Sequence, residues 1–306
     1  MKKIVIFGAS GFIGSEINKL LTESKFEVVS FVNNNNKKFS KKFFKNIKKT
    51  DIKKIIKVKI TDVDTVIHAA TPNDIFSKDF QKGMDLSLNG TKNILDFCLE
   101  NKVRNLIFFS TFQVYGTNLT GKISEKTKVK LNNFNSLNHY FAEELCRFYS
   151  KNYNLNSLIV RPSNVYGIPL LSSIKRDTLV PLCFAKDLKK SNNIKLLSSG
   201  KQTRNFVSNF TIAKVCKRLI NKFPKGNNIL NISSNLNLSM YSIAKDMIKI
   251  ANSRNSKNNY KLMIESNYPK KENYFKTLKS KLIKDLISTS SKEKKNFLKV
   301  LELIIQ

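Results

Sequence analysis

The chain contains few of the residues from which metal centres, disulfide frameworks and membrane spans are built. Its four cysteines, Cys98, Cys146, Cys183 and Cys216, lie far apart and show neither metal-ligand spacing nor a disulfide pattern. No apolar run reaches the roughly 18 residues that cross a membrane, and glycines interrupt the apolar stretch after Met1. We therefore expect a cytoplasmic protein with reduced thiols, with no metal site and with no membrane partner.

Acidic residues are also scarce. The 306 residues include 22 Asp and Glu against 55 Lys and Arg, which gives a formal net charge of +33. Such an excess is typical of proteins that bind nucleic acids. Here the lysines are spread along the whole chain among many asparagines, and no nucleic-acid motif accompanies them. We interpret the charge as a compositional bias and expect no dedicated nucleic-acid surface, although a positive field favours anionic ligands such as nucleotides.

Glycine is uncommon, with 10 residues, yet three glycines lie close together near the start of the chain. They follow the short apolar run 3–7, and behind them Ile13, Ile17 and Leu21 recur at helical spacing. In this strand, turn and helix, Gly8 would allow the tight turn, Gly11 the close approach of a pyrophosphate, and Gly14 the packing of the helix. The pattern predicts a bound dinucleotide.

Strand-like runs at 27–32, 65–69, 103–110 and 157–161 alternate with helical patterns through the first two thirds of the chain. This alternation predicts an α/β fold with a doubly wound parallel sheet covered by helices on both faces. We expect residues 1–165, with 204–233 returning to them, to form the dinucleotide-binding domain. Residues 166–203 and 234–306 would form a smaller substrate-binding lobe, over the sheet edge where open α/β folds bind ligands.

Further motifs follow in order along the chain. They are Asp51-Ile52, Val66-Ile67-His68-Ala69-Ala70, Gly90-Thr91-Lys92-Asn93, Ser110 to Gly116, Arg161 to Gly167, and Gly200 to Val207. The glycine turn resembles the TGxxGxxG motif of the NAD-dependent epimerase/dehydratase family. The six motifs just named resemble, in the same order, further motifs of that family: the Asp-Leu pair that contacts adenine, VIHLAA, GTxN, SSxxVYG, RPxNVYG and GxGxQxRDFV. The resemblance to this extended branch of the short-chain dehydrogenases/reductases runs from Lys2 to nearly the end. It implies a Rossmann-type fold and hydride transfer on a nucleotide sugar, in surface polysaccharide biosynthesis.

The resemblance also implies which residues bind the cofactor, NAD or NADP. They are Gly8, Ser10, Gly11, Phe12, Ile13, Gly14, Asn33, Asp51, Ile52, Ala69, Ala70, Thr71, His139 and Pro162. Asn33 occupies the position at which NAD-binding members carry an acidic residue. NADP-binding members often carry a basic residue at the same position. Asn33 can bond a ribose hydroxyl, while Lys37 or Lys38 could meet a 2′-phosphate, so NAD and NADP both stay open. Thr111 would hydrogen-bond the sugar, and Asn164 and Arg204 would contact its diphosphate, although Arg204 could instead form a surface ion pair.

The acid/base motif of this family, YxxxK, is not intact in the chain. One alignment takes Tyr140 as the tyrosine, with Glu144 in place of the lysine. The other matches 142–145 to the AEEL sequence of the family and places Asn135 at the tyrosine and His139 at the lysine. The helical period favours the second alignment, on the interpretation that 141, 145 and 148 form the core stripe.

The candidate catalytic residues are therefore Thr111, His139, Asn135 and Tyr140. His139 could transfer a proton or only position the cofactor. We expect His68 to be a packed core residue. An alternative hypothesis is a catalytically inactive NAD(P)-binding sensor or scaffold. The resemblance further implies a homodimer formed through the helices at 84–100 and 135–152.

Overall fold

The strand predicted ahead of the glycine turn is the centre of the main sheet. The computed structural model describes residues 1–33, 39, 41–52, 58–117, 119–255, 258–265 and 275–306. Lys37 and Lys38 lie outside the described residues. The described strands are β1 (Lys3–Phe7), β2 (Glu27–Val32), β3 (Asn46–Lys49), β4 (Val63–His68), β5 (Asn105–Phe109), β6 (Gly121–Ile123), β7 (Asn156–Pro162), β8 (Asn164–Tyr166), β9 (Asn193–Leu196), β10 (Thr203–Ser208), β11 (Asn227–Ile232), β12 (Leu236–Ser239), β13 (Lys261–Ile264) and β14 (Phe275–Thr277). The described α-helices are α1 (Phe12–Glu23), α2 (Phe80–Met84), α3 (Gly90–Glu100), α4 (Phe134–Tyr153), α5 (Val180–Ser191), α6 (Asn209–Asn221), α7 (Met240–Arg254) and α8 (Ser290–Ile305).

Seven strands form one parallel sheet in the order β11-β7-β5-β4-β1-β2-β3. The order reverses between β1 and β4, and open α/β sheets bind ligands at such a switch point. The doubly wound parallel sheet predicted from the alternation is confirmed, and each of the four predicted runs contains or overlaps a strand of it.

The central strands β1 and β5 of the main sheet are almost entirely apolar because both faces are covered, whereas the edge strand β3 is mostly exposed. On one face, Ile17 of α1 and Val215 of α6 pack in a cluster with Ile4 of β1. On the other face, Leu95 of α3 and Cys146 of α4 pack in a second cluster with other strand residues. The sheet is therefore the middle layer of a helix, sheet and helix arrangement.

A smaller sheet, in the order β12-β10-β8, lies beside a third apolar cluster to which α5, α7 and α8 contribute. Strand β8 follows β7 after one residue, so the chain passes directly from the main sheet to the smaller one. Of the segment 204–233, β11 belongs to the main sheet and β10 to the smaller one. No described helix is both long and apolar enough to cross a membrane.

Two predicted helix faces differ from the structure. The helical spacing of Met84, Leu88, Thr91, Leu95 and Cys98 predicts one shared face. A π-helical turn at Asp85–Asn89 interrupts that period, and Met84 and Leu88 are half-buried while the other three are buried. The predicted core stripe of α4 is also wrong, because Phe141 is 39% and Phe148 is 55% exposed. The buried face of α4 instead carries polar and small side chains: Asn135, Ser136, Asn138, His139, Ala142, Glu143 and Cys146.

Candidate active site

The glycine turn between β1 and α1 leaves no room for a side chain. Gly8 has φ +80°, and a Cβ added to it would lie 2.6 Å from the carbonyl carbon of Ala69. A Cβ on Gly14 would overlap the carbonyl oxygen of Gly8. Helix α1 begins directly after Gly11, and no side chain caps its N-terminus. Backbone N–H groups at such an end bind phosphate, so the turn fits the pyrophosphate of a dinucleotide.

The other predicted cofactor residues lie around this turn and the neighbouring strand ends. Ser10 and Phe12 are buried and Ile13 is half-buried in the turn and first helix residues. The half-buried Ala69, Ala70 and Thr71 follow β4, and Pro162 is the buried end of β7. Asn33 is exposed directly after β2, Asp51 is exposed, and the carbonyl of Ile52 accepts a hydrogen bond from Asn93 at 3.2 Å.

A chain of hydrogen bonds joins the loop after β5 to the start of α4. Thr111 Oγ1 accepts from the backbone N–H of Gln113 at 3.2 Å. Asn135 Nδ2 donates to Gln113 Oε1 at 3.2 Å, and Asn135 Oδ1 accepts from Ser77 Oγ at 3.1 Å. The structure thus brings Thr111 and Asn135 to one cluster, and it adds Ser77 and Gln113, which no sequence motif indicated.

His139 lies one helical turn after Asn135 and contacts the segment that follows β4. Its Nε2 is 3.1 Å from the carbonyl oxygen of Pro72, and the residue is 4% exposed. Burial lowers the pKa of His139 to about 4, although the carbonyls of Pro72 and Phe109 and the charge of Glu143 act in the opposite direction. At neutral pH the imidazole is therefore uncharged.

His68 is fully buried at the end of β4. Its Nε2 lies 3.0 Å from Thr91 Oγ1, and burial lowers its pKa to about 3. This imidazole is a neutral part of the core.

Tyr140 does not join the hydrogen-bonded cluster. It packs against the apolar cluster of Phe112 and Tyr115, and the guanidinium carbon of Arg147 lies 5.6 Å from its ring centroid. A hydrogen bond to Glu144, together with burial, raises its pKa. A tyrosine beside a carboxylate holds its proton more tightly, so this position is unsuited to the role expected in the first alignment.

A buried ion pair that the sequence did not reveal lies beneath the cluster. Arg161 donates from Nε to Glu143 Oε1 at 2.8 Å and from Nη2 to Glu143 Oε2 at 2.5 Å. Ser110 Oγ donates to Glu143 Oε1 at 2.5 Å, and Arg161 Nη1 donates to the hydroxyl of Tyr115 at 2.8 Å. The pair fixes α4 against the ends of β5 and β7, next to Thr111.

A cavity of about 230 Å³ is lined by residues of α5, β9 and β10 and of the loops beside them. Its lining includes Thr178, Cys183, Lys195, Gln202 and Arg204. Arg204 is exposed and forms no ion pair with a described residue, so the surface ion pair considered for it is not seen. Asn164, also expected to contact substrate, uses its Nδ2 to donate to the carbonyl of Asn205 at 3.0 Å.

Comparisons with known proteins agree with this architecture. The model of the NAD dependent epimerase/dehydratase family matches residues 4–233. A dTDP-D-glucose 4,6-dehydratase of Dictyostelium discoideum is 28% identical, and the match covers 82% of this chain and 62% of that protein. The chain therefore spans less than two thirds of that relative. A putative UDP-glucose 4-epimerase of Methanocaldococcus jannaschii is 29% identical, with 76% of both chains covered.

Among solved structures, MoeE5 in complex with UDP-glucose and NAD superposes with a TM-score of 0.80 at 16% identity, covering 99% of this chain and 98% of that one. The UDP-glucuronic acid 4-epimerase from Bacillus cereus, in complex with UDP-glucuronic acid and NAD, gives 0.79 at 22% identity over 99% and 98%. At these identities the superpositions establish the Rossmann-type fold.

Proposed function

This chain belongs to the NAD-dependent epimerase/dehydratase family, and we propose that it is an enzyme that uses NAD to act on a nucleotide sugar. The observation that carries the proposal is the glycine turn: Gly8 and Gly14 leave space only for backbone at the switch point of the sheet. Thr111 lies at the end of β5, which pairs with β4 beside that switch point. The solved relatives named above hold NAD, and Asn33 offers no positive charge for a 2′-phosphate, so we propose NAD rather than NADP.

Each residue of the cluster has a role that its chemistry permits. When bound, NAD accepts and returns a hydride at its nicotinamide ring. Thr111 would hydrogen-bond the reacting hydroxyl or carbonyl of the sugar, because its Oγ1 can both donate and accept. His139, being neutral, would orient neighbouring groups rather than carry a proton. Arg204 would bind the diphosphate from the cavity of the smaller lobe, because its guanidinium offers a fork of donors to phosphate oxygens.

We would test this function by incubating the protein with NAD and a panel of UDP-, dTDP-, GDP- and ADP-sugars. The expected result is conversion of one sugar, or accumulation of reduced nicotinamide, and its loss in Thr111→Val. Thr117→Val is the matched control, because Thr117 is exposed and its hydroxyl contacts Asn132 rather than the cluster. Binding of NAD without conversion of any sugar would contradict the enzyme proposal.

A second candidate is a protein that binds NAD without catalysis, as a sensor or scaffold. It is favoured by one observation: neither Asn135 nor neutral His139 can exchange a proton efficiently near pH 7. The double variant Asn135→Tyr with His139→Lys separates the two candidates. If the wild type converts no sugar and the double variant does, the binding protein is correct; if the wild type turns over, the enzyme is correct.

We propose that the protein pairs with a second copy of itself. Met84 and Leu88 line a groove with Phe141, Leu145 and Phe148 of α4, and Phe148 is 55% exposed. Apolar side chains in such a continuous strip are typical of interfaces. The roles in surface polysaccharide synthesis and in the cytoplasm, and the absence of a nucleic-acid partner, stay predictions.

A further inference from the structure

The guanidinium of Arg176 forms no side-chain hydrogen bond with another described residue. It lies half-buried in the loop between β8 and α5, and its Nε is buried without a hydrogen-bond partner among the described residues. By contrast, Arg161 donates to Glu143 and Tyr115. A buried donor without a partner destabilises the protein, so the site is incomplete in the protein alone.

Among the described residues, the opposite charge that acts on Arg176 is that of Asp74, which forms no ion pair with it. Burial lowers the pKa of Arg176, and the charge of Asp74 acts in the opposite direction. The carboxylate of Asp74 accepts a hydrogen bond from Thr178 Oγ1 at 3.3 Å, and it forms no ion pair with Arg176. The guanidinium therefore keeps its charge available for another anion.

The loop that carries Arg176 connects the two parts of the candidate site. Thr178 lines the cavity that contains Arg204, and it is bonded to Asp74 in the segment after β4. That same segment contains Pro72, whose carbonyl contacts His139. A ligand that extends from the cavity towards the polar cluster would therefore pass the loop of Arg176.

We propose that Arg176 binds an oxyanion of the substrate, and this inference rests on the proposed function. The oxyanion is either on the diphosphate or is a carboxylate on the sugar, since both present paired oxygens to a guanidinium. Because the geometry of a guanidinium fork is not reproduced by an ammonium group, lysine would not replace it fully. Arg176 would thus act as a binding and specificity residue for the sugar nucleotide.

The test is calorimetric binding of UDP, UDP-glucose and UDP-glucuronate, and of their dTDP counterparts, to the NAD-loaded protein. Arg176→Gln should weaken binding of the affected ligands by about tenfold to a hundredfold, the range for a hydrogen bond to a charged group. Arg176→Lys should recover part of that loss. Lys175→Gln is the control for loss of one charge, because Lys175 is an exposed neighbour in the same loop.

The pattern of loss identifies the oxyanion. An equal loss for all ligands assigns Arg176 to the diphosphate, and a loss confined to the glucuronates assigns it to the sugar carboxylate. If the wild type binds and Arg176→Gln binds every ligand equally well, the inference on Arg176 is overturned while the proposed function stands. If the wild type binds neither these ligands nor any GDP- or ADP-sugar, the proposed function itself fails and the inference fails with it. If it binds only a GDP- or ADP-sugar, Arg176→Gln is compared with the wild type on that sugar, and equal binding overturns the inference.

Discussion

Glu143→Gln tests whether the buried ion pair stabilises the candidate active site. Glu143 is 0% and Arg161 is 1% exposed. The carboxylate accepts hydrogen bonds from Ser110 at 2.5 Å, from Arg161 at 2.5 and 2.8 Å, and from Arg147 at 2.8 Å. Removing its charge leaves the guanidinium of Arg161 buried without a counter-charge. We therefore expect a large loss of folding stability.

The magnitude follows from what Gln keeps and what it loses. Breaking one partner of a buried pair costs about 3–5 kcal/mol, because the remaining charge stays buried. The Gln carbonyl can still accept from Ser110 or Arg161, which places the expected loss near the lower end, at about 3 kcal/mol. Folding free energies of domains are about 5–15 kcal/mol, so this loss would be a large fraction of the total.

Glu144→Gln is the matched control on the same helix. Glu144 also pairs with Arg147, but its side chain is 48% exposed. An exposed pair contributes about 0–1 kcal/mol, so the two variants should differ by about 2 kcal/mol or more. Urea unfolding followed by circular dichroism measures both values, provided that the slopes agree. If Glu143→Gln and Glu144→Gln lose the same stability, the ion pair does not have the role we give it.

The loss in Glu143→Gln should also depend on pH. Burial alone would raise the pKa of Glu143, but its hydrogen bonds and the charge of Arg161 outweigh burial and hold the pKa below its ordinary value. A depressed folded pKa contributes stability that is present above the unfolded pKa, about 4.3, and is lost as pH falls through the folded pKa. The difference between wild type and Glu143→Gln should therefore shrink in acid.

Three further perturbations test the cofactor turn, the interface and the buried imidazole. Gly8→Ala should weaken NAD binding, measured by calorimetry, by roughly tenfold or more. Gly121→Ala should leave NAD binding unchanged, because Gly121 is also at positive φ but has open space around it. If both variants bind NAD equally well, the role given to Gly8 is wrong. Phe148→Glu should convert the dimer into monomers, which light scattering detects as a halved molar mass. Phe210→Glu should leave the molar mass unchanged, because Phe210 is 48% exposed but lies on α6, away from the groove of Phe148. An unchanged molar mass in both variants would exclude the groove as the interface. Burial lowers the pKa of His139 from 6.5 to about 4 in the folded protein. The free energy of unfolding should therefore fall as pH drops through this window, because the unfolded state binds the proton first. His139→Gln should lose less of this free energy over the same pH range, as measured by urea unfolding at several pH values.

The fold and the glycine turn could be predicted because their signals are local. A parallel strand covered on both faces is apolar along nearly its whole length, as β1 is after Lys3, so it can be recognised without its neighbours. Gly8, Gly11 and Gly14 form a short pattern that can be recognised in the sequence. Gly14 meets Gly8 within it, whereas the contact of Gly8 with Ala69 after β4 is long-range and could not be read from the pattern. The family motifs then fix the order of the elements, and the family match confirms that resemblance.

The orientation of α4 could not be predicted, because periodicity shows an apolar face without showing what covers it. Phe141 and Phe148 form an apolar stripe, yet they are exposed, while Asn135, His139 and Glu143 face the interior. A buried polar face is stable only when its partners are present. Those partners come from distant parts of the chain, and a single sequence does not reveal such pairs. The π-helical turn at Asp85–Asn89 is likewise a departure from the period that the pattern assumes.

Under the second alignment, the two departures that we propose from the family motif, at Asn135 and His139, depend on each other physically. In the family motif the charge of the lysine lowers the pKa of the tyrosine, whereas His139 is neutral at pH 7 because it is buried. Without that charge, a tyrosine in the place of Asn135 would keep a pKa of about 10 and hold its proton, so it would have no advantage over an amide. The amide instead donates to Gln113 and accepts from Ser77, which fixes the loop that carries Thr111. Neither single replacement would then restore a proton-transfer group, and only the pair Asn135→Tyr with His139→Lys would supply both the acid and the charge that tunes it.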